Sequence, residues 1–256
     1  MRNVSVADYD HLAVDVLPIG TDYPPDHLLA RHEHRRAQLL YGARGVMLVE
    51  TDDGAWTVPA DRAVLIPPRT AHEVRMLGVT TWSLYIEPQA VPWWPASCTV
   101  VDVGPLLREL LRAANELEAD YDLAGRDGAL VQLILRELQT VSPLPLALTL
   151  PSGEPLRALC RSYLADPDVT VTNAEWARRA AMSERTLDRR FAEATGMSPA
   201  AWRARARLLA SLPLLRTNTV TQVASRLGYS SPAAFTAHFT RVLGQPPSRF
   251  RLAAAD

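Results

Sequence analysis

Residues 173–191 read NAEWARRAAMSERTLDRRF. Trp176, Ala177 and Ala180 share one side of a short helix, and Asn173 can cap its start. The Ala181-Met182-Ser183 step interrupts that period. Ser183 can cap a second helix, with Leu187 and Phe191 four residues apart on its inner face. Ala177 is small enough to let the second helix cross closely. Two short helices joined by a tight turn, the second with an outer face of Glu184, Arg185, Asp188 and Arg189, predict a helix-turn-helix. Residues near the start of such a second helix meet base edges in a major groove, where arginine is the natural bidentate partner of guanine.

The pattern then repeats. Residues 220–239 read VTQVASRLGYSSPAAFTAHF. Val223 and Ala224 lie on a first helix, Gly228 supplies the turn, and Ser231 caps a second helix whose inner positions are Phe235 and Phe239. Both units close alike, FAEATGMSP at 191–199 and FTRVLGQPP at 239–247. The outer faces differ: the second offers Thr236, Ala237 and His238, with no arginine before Arg241. Between the units a long helix is expected, kinked by Pro213. It carries Arg203, Arg205 and Arg207, which can serve as intradomain partners or phosphate contacts.

Charge supports two different ends. Residues 1–156 hold 12 Arg and 21 Asp and Glu, a net of −9; residues 157–256 hold 15 Arg and 7 Asp and Glu, a net of +8. The whole chain of 256 residues comes to only −1. An acidic first part and a basic last part suggest that the last part meets nucleic acid.

Residues 155–251 resemble the DNA-binding domain of the AraC/XylS family of bacterial transcription regulators. The resemblance rests on Ala177, Ser183, Arg185, Leu187, Arg189 and Phe191 in the first unit. In the second it rests on Val223, Ala224, Gly228, Tyr229, Phe235, Phe239, Pro247 and the Phe250-Arg251 pair. It implies two helix-turn-helix units presented to successive major-groove segments of double-stranded DNA. The DNA-binding set it implies is Ser183, Arg185, Thr186, Asp188 and Arg189, then Ser231, Ala233, Thr236, Ala237 and His238.

The remainder divides by texture. Residues 1–100 carry short β-rich runs at 46–49, 56–58, 64–66 and 82–86, with turn signals at Asp52-Asp53-Gly54 and Pro67-Pro68. They predict a small antiparallel β-barrel or sandwich. Residues 101–140 switch to helical spacing, with Leu106, Leu107, Leu110 and Leu111, then Leu130, Leu133, Ile134 and Leu138. They predict two helices parted by Gly125 and Gly128, able to pack on the barrel or to join two subunits as a homodimer. Residues 141–155 carry enough proline to predict a linker. Residues 156–256 form the all-α DNA-binding domain.

Within the barrel, His32 and His34 share strand parity with Gln38, and His72 follows a second strand. Three imidazoles and an amide oxygen can hold a divalent transition metal. The spacing of His32, His34, Gln38 and Gly45 resembles the first motif of a cupin, with Gln38 in place of its usual glutamate. Asp61, Pro67 and His72 resemble the second, with Asp61 and Arg69 replacing glycines. The resemblance implies a cupin-like sensor whose effector is a metal ion or a small molecule. Arg36, Tyr41, Trp56, Trp82 and Tyr85 are the candidate pocket residues. A metal-dependent cupin enzyme fused to the DNA-binding domain is the alternative. No acid–base pair accompanies the histidines, so no catalytic residue is assigned.

No run approaches the ~20 apolar residues of a membrane span, and no signal peptide is legible, so a cytoplasmic, non-membrane protein is expected. Cys98 and Cys160 fit no CxxC pattern and are expected to be buried and reduced.

Overall fold

The computed structural model describes residues 3–250. Eight strands form one sheet, with order β1-β6-β3-β4-β8, β2 paired to β6, and β5 between β3 and β7. The strands are β1 (Val16–Asp22), β2 (His27–His32), β3 (Ala37–Glu50), β4 (Gly54–Pro59), β5 (Arg62–Ile66), β6 (His72–Ile86), β7 (Thr99–Asp102) and β8 (Ala147–Thr149). The helices are α1 (Pro105–Ala114), α2 (Arg126–Glu137), α3 (Leu156–Ala165), α4 (Asn173–Arg179), α5 (Glu184–Thr195), α6 (Pro199–Leu214), α7 (Val220–Arg226) and α8 (Pro232–Leu243). The chain falls into two compact units, residues 1–49 with 58–144, and residues 50–57 with 145–256. A sheet-rich N-terminal domain and a helical C-terminal domain are thus both present.

In the first unit, the β-rich runs at 46–49, 64–66 and 82–86 lie in β3, β5 and β6. Leu39, Tyr41, Leu65, Leu84 and Ile86 share a core with Leu107 and Leu111 of α1 and Val131 and Ile134 of α2. The two helices therefore bury one face against their own barrel, while Leu106 and Leu133 remain exposed at 53% and 40%. Gly125 precedes α2 as its N-cap, but Gly128 lies inside the helix rather than parting it from α1. The reason is contact: a Cβ at Gly128 would stand 1.9 Å from the Leu123 carbonyl oxygen.

The second unit is built on α6. Its N-terminal half packs a cluster of Trp176, Phe191, Trp202 and Tyr163, with ring centroids 5.6–6.3 Å apart. The second repeat has its own, Tyr229, Phe235, Phe239 and Phe250, at 5.2–5.5 Å. Side-chain caps start each repeat helix: Thr172 for α4, Ser183 for α5, Thr219 for α7 and Ser231 for α8. Asn173, expected as the first cap, is instead the first helical residue, because the Thr172 hydroxyl already accepts from Glu175 N–H. Pro213 lies in the last turn of α6, one residue before its end, so the helix runs almost its full length before the proline can interrupt it. Cys98 and Cys160 are both buried, and burial pushes the Cys160 thiol up.

Residues 141–155 are more structured than a linker. β8 pairs residues 147–149 with residues 54–56 of β4. Arg205 donates to the carbonyls of Ala147 (2.9 Å) and Pro145 (2.6 Å), and the Trp202 indole donates to Thr149 O (2.9 Å). Arg157 donates to Pro151 O and pairs with Asp52, and Arg161 pairs with Glu50 at 2.6 Å. Proline removes a backbone donor but leaves the carbonyl, and these carbonyls are what the arginines and the tryptophan use.

The two helix-to-helix turns use the same hydrogen bonds with different residues. Met182 N–H reaches Ala177 O and Tyr229 N–H reaches Ala224 O, each at 2.9 Å. The left-handed position is Gly228 (φ 74°) in the second turn and Ala181 (φ 52°) in the first. Alanine there is strained and glycine is not. Ala181→Gly is expected to stabilise the second unit by roughly 0.5–1 kcal/mol, strain relief outweighing the added chain entropy. Equilibrium denaturation of the full chain checks this; a lower midpoint for the variant would contradict it.

Candidate nucleic-acid interface and effector site

α5 begins at the Ser183 cap, whose hydroxyl accepts from Thr186 N–H and lies 2.9 Å from the Thr186 hydroxyl. Both side chains are therefore engaged in starting the helix. Arg185, Asp188 and Arg189 are exposed on the outer face. Arg189 pairs with Glu193 one turn on, at 3.0 Å. Arg185 has no intramolecular partner among the described residues. Asp188 is held: its Oδ1 accepts from the Asn173 amide at 3.0 Å, and Asn173 Oδ1 accepts from Arg203 at 2.7 Å. Arg203 is itself buried, with its guanidinium 4.6 Å over the Trp176 ring. Asn173 was legible in the sequence only as a cap; nothing local signals its reach to Asp188, fifteen residues away.

α8 presents a different face. Pro232, Ala233, Thr236, Ala237, Thr240 and Arg241 line one shallow concavity. Ser231 starts the helix by accepting from Ala234 N–H. His238 does not join this face: its Nδ1 lies 2.7 Å from the Tyr229 hydroxyl, and burial with the nearby Arg241 and Arg207 charges holds its pKa down. The arginines of α6 also face inward. Arg203 meets Asn173, Arg205 meets carbonyls and Arg207 donates to the Tyr163 hydroxyl at 2.6 Å. Of the two roles open to them, the partners found are intradomain.

In the first unit, His32 and His72 face each other across the β2–β6 ladder. Their ring centroids are 4.4 Å apart, and His34 lies 5.2 Å from His72 and 6.2 Å from His32. Each Nδ1 sits on a backbone carbonyl: His32 on Ala30 (2.8 Å), His34 on Arg36 (2.6 Å) and His72 on Thr70 (2.8 Å). A carbonyl only accepts, so each Nδ1 carries the proton and each Nε2 keeps its lone pair. Gln38 Oε1 stands 3.1 Å from His34 Nε2. Two acceptors at that distance call for a cation between them or for the amide turned to present its NH2. Burial lowers the pKa of His34, and burial with the neighbouring histidines lowers that of His72 to about 4, so both rings stay neutral at neutral pH. The donor chemistry suits a transition ion. Nevertheless, among the described residues no three His, Cys, Asp or Glu side chains stand in a coordinating arrangement. The cluster has the ligand set without an assembled coordination sphere.

The five expected pocket residues separate. Tyr85 joins the histidines, its ring 5.1 Å edge-on from His34. Tyr41 is fully buried, stacks near Trp82 at 5.4 Å and donates to Asp61 at 3.0 Å. Trp56 belongs to the second unit. Arg36 is a correction. It is fully buried, pairs with Glu87 (2.7 Å) and Asp10 (2.9 Å), and donates to the carbonyls of Val14 and Leu12. Its strand parity matched the histidines, but a buried guanidinium needs fixed anions and carbonyls, and Asp10, Leu12 and Val14 before β1 and Glu87 after β6 provide them.

Two family models match the chain: an AraC-like ligand-binding domain over residues 15–140 and a helix-turn-helix domain over residues 176–253. The HTH-type transcriptional regulator NimR of Escherichia coli is 31% identical over 221 residues, covering 86% of this chain and 81% of that protein. The DNA-binding domain of the global transcriptional factor AdpA, solved with a target DNA, is 37% identical over 38% of this chain and 90% of that one, with a TM-score of 0.35. ToxT of Vibrio cholerae, solved with an unsaturated fatty acid, is 12% identical over 92% of this chain and 94% of that one, with a TM-score of 0.39.

A substitution separates structure from sensing at Arg36. Arg36→Met removes a buried guanidinium from Glu87, Asp10 and two backbone carbonyls, leaving Arg35 as the remaining partner of Glu87 at 2.7 Å, and is expected to cost about 3 kcal/mol of stability. A melting transition unchanged from the parent would return Arg36 to the list of effector contacts.

Proposed function

The chain belongs to the AraC family of HTH-type transcriptional regulators, and on that premise we propose that its ligand-binding domain senses an effector at the His32–His34–Gln38–His72 cluster while α5 and α8 read duplex DNA. DNA-binding regulation with a ligand-binding domain is the established core of this reading. The effector's class is the proposed part. The observation that carries it is the locking of all three Nδ1 atoms on backbone carbonyls, which leaves three Nε2 lone pairs in one cluster. A divalent transition ion is the effector that this set suits best. It would supply a positive centre that draws Gln38 Oε1 and His34 Nε2 together.

The residues assigned to DNA are Arg185, Asp188 and Arg189 on α5 and Ala233, Thr236 and Ala237 on α8, with Ser231 near a phosphate. Ser183 and Thr186 organise the start of α5 at the DNA-facing end, and His238 supports α8 from beside Tyr229. Regulation then follows from linkage: an effector that binds one conformation better shifts the population competent for DNA.

A second reading takes a small organic effector at the same cluster, hydrogen-bonded by the Nε2 atoms and the Tyr85 hydroxyl. The lack of an assembled coordination sphere favours it. Titration of the full chain with Zn²⁺, Ni²⁺ and Mn²⁺ by calorimetry decides between them. The metal reading expects saturable binding, weakened at least about tenfold by His32→Ala, an exposed position at low risk for the fold. No saturable heat with any ion would overturn it in favour of the organic effector. Selection from a random duplex pool, with and without chelator, tests whether occupancy alters DNA binding.

We also assign the exposed faces of α1 and α2 to a homodimer contact. Leu106 and Leu133 lie uncovered on helices whose opposite faces are buried. Leu106→Glu with Leu133→Glu is expected to convert a dimer to a monomer in sedimentation. A monomeric parent chain would contradict the contact.

A further inference from the structure

The two reading helices offer DNA opposite chemistries. On α5, Arg185 is a guanidinium without a partner among the described residues, and Asp188 is a carboxylate one turn away on the same exposed face. An anion facing phosphate-lined DNA is unfavourable unless a donor meets it. In the major groove that donor is the amino group of cytosine or adenine. Asp188 is not left to swing away. The Asn173 amide pins Oδ1, and buried Arg203 pins Asn173 in turn. Oδ2 remains to accept. A G·C pair presents guanine N7 and O6 to a guanidinium and cytosine N4–H2 to a carboxylate, which matches this pair of side chains.

α8 has nothing equivalent. Its concavity is lined by Pro232, Ala233, Thr236, Ala237 and Thr240, with Arg241 one turn beyond Ala237 at its C-terminal end. The part of α8 nearest its N-terminus therefore brings no guanidinium to guanine, and the base-edge group it fits is the C5 methyl of thymine.

We propose that the operator of this protein is compositionally divided, with a G·C pair read by Arg185 and Asp188 under α5 and thymine methyls read by the apolar face of α8 in the neighbouring major-groove segment. Asn173 acts in this scheme as a positioning residue for Asp188. The proposal rests on the reading of α5 and α8 as DNA-reading helices and specifies what each one reads.

The test uses the full chain and the duplex it selects from a random pool. Replacing guanine by 7-deazaguanine in one segment is expected to weaken binding roughly tenfold, and Arg185→Ala abolishes that sensitivity. Replacing thymine by deoxyuridine in the other segment is expected to weaken binding about fourfold per contacted methyl, and Arg185→Ala leaves this loss intact. Asp188→Asn relaxes the choice of cytosine. Asn173→Asp keeps an acceptor for Arg203 but removes the donor to Asp188. It is expected to relax the same base choice, read as the ratio of affinities for the selected duplex and its counterpart with the G·C pair replaced, which a merely structural role would not change.

A selected duplex indifferent to both base analogues overturns the division. Indifference to deoxyuridine alone, with Ala237→Glu binding DNA normally, would assign the α8 face to a protein partner and also overturn it. Failure to select any duplex would instead strike the DNA-reading assignment beneath it, and the division with it.

Discussion

The second unit depends on how α6 satisfies its arginines. A helix buried along most of its length cannot leave guanidinium groups unpartnered, because a buried charge without hydrogen bonds is too costly. Arg203, Arg205 and Arg207 therefore donate inward, to Asn173, to the carbonyls of residues 145 and 147, and to Tyr163. Each of these bonds fixes a different neighbour. Arg205, with Trp202, binds a segment that proline keeps out of helix. Arg207 ties α3 through Tyr163. Arg203 reaches Asp188 on the outer face of α5 by way of Asn173. The basic charge of this domain is thus partly internal scaffolding, and only a subset of its arginines is available to phosphate or base.

The sensor unit solves a related problem differently. Arg36 is buried among Asp10, Glu87 and backbone carbonyls, which joins the segment before β1 to the start of β3 and the end of β6. The histidines, a few residues away, are each held at Nδ1 by a backbone carbonyl, and His34 also meets Gln38 at Nε2. Their Nδ1 atoms are used up by the local backbone, which orients the rings, and their Nε2 atoms are not. Orientation by backbone carbonyls fixes the three rings side by side. Burial holds the rings of His34 and His72 neutral.

The two repeats show how one scaffold carries two surfaces. Inner positions agree because both must fill the same space: Ala177 and Ala224 where helices cross, Phe191 and Phe239 in the cores, Gly196 and Gly244 at left-handed helix ends. Outer positions are released from packing and diverge, charged on α5 and apolar on α8. The turn between helices lies in between. It demands a left-handed residue in both units, yet one unit uses alanine and accepts the strain.

Periodicity and cap chemistry determined much of this protein in the sequence alone. The repeated helix-turn-helix, the β-rich first part, the two helices after it and the shared parity of His32 and His34 are local patterns of spacing, and spacing survives without knowledge of neighbours; the place of His72 beside them was implied by the resemblance to a cupin. Partnership does not. Arg36 shares strand parity with the histidines but is claimed by acids twenty-six and fifty-one residues away in sequence. Asn173 and Thr172 are both competent caps, and the one displaced from capping became the partner of Asp188. Residues 141–155 carry prolines that forbid helix, but whether their carbonyls face water or arginine depends on where α6 lies. Hydrogen bonds and ion pairs between distant residues are decided by tertiary packing, because a donor's range of partners is set by position in space and not by order along the chain.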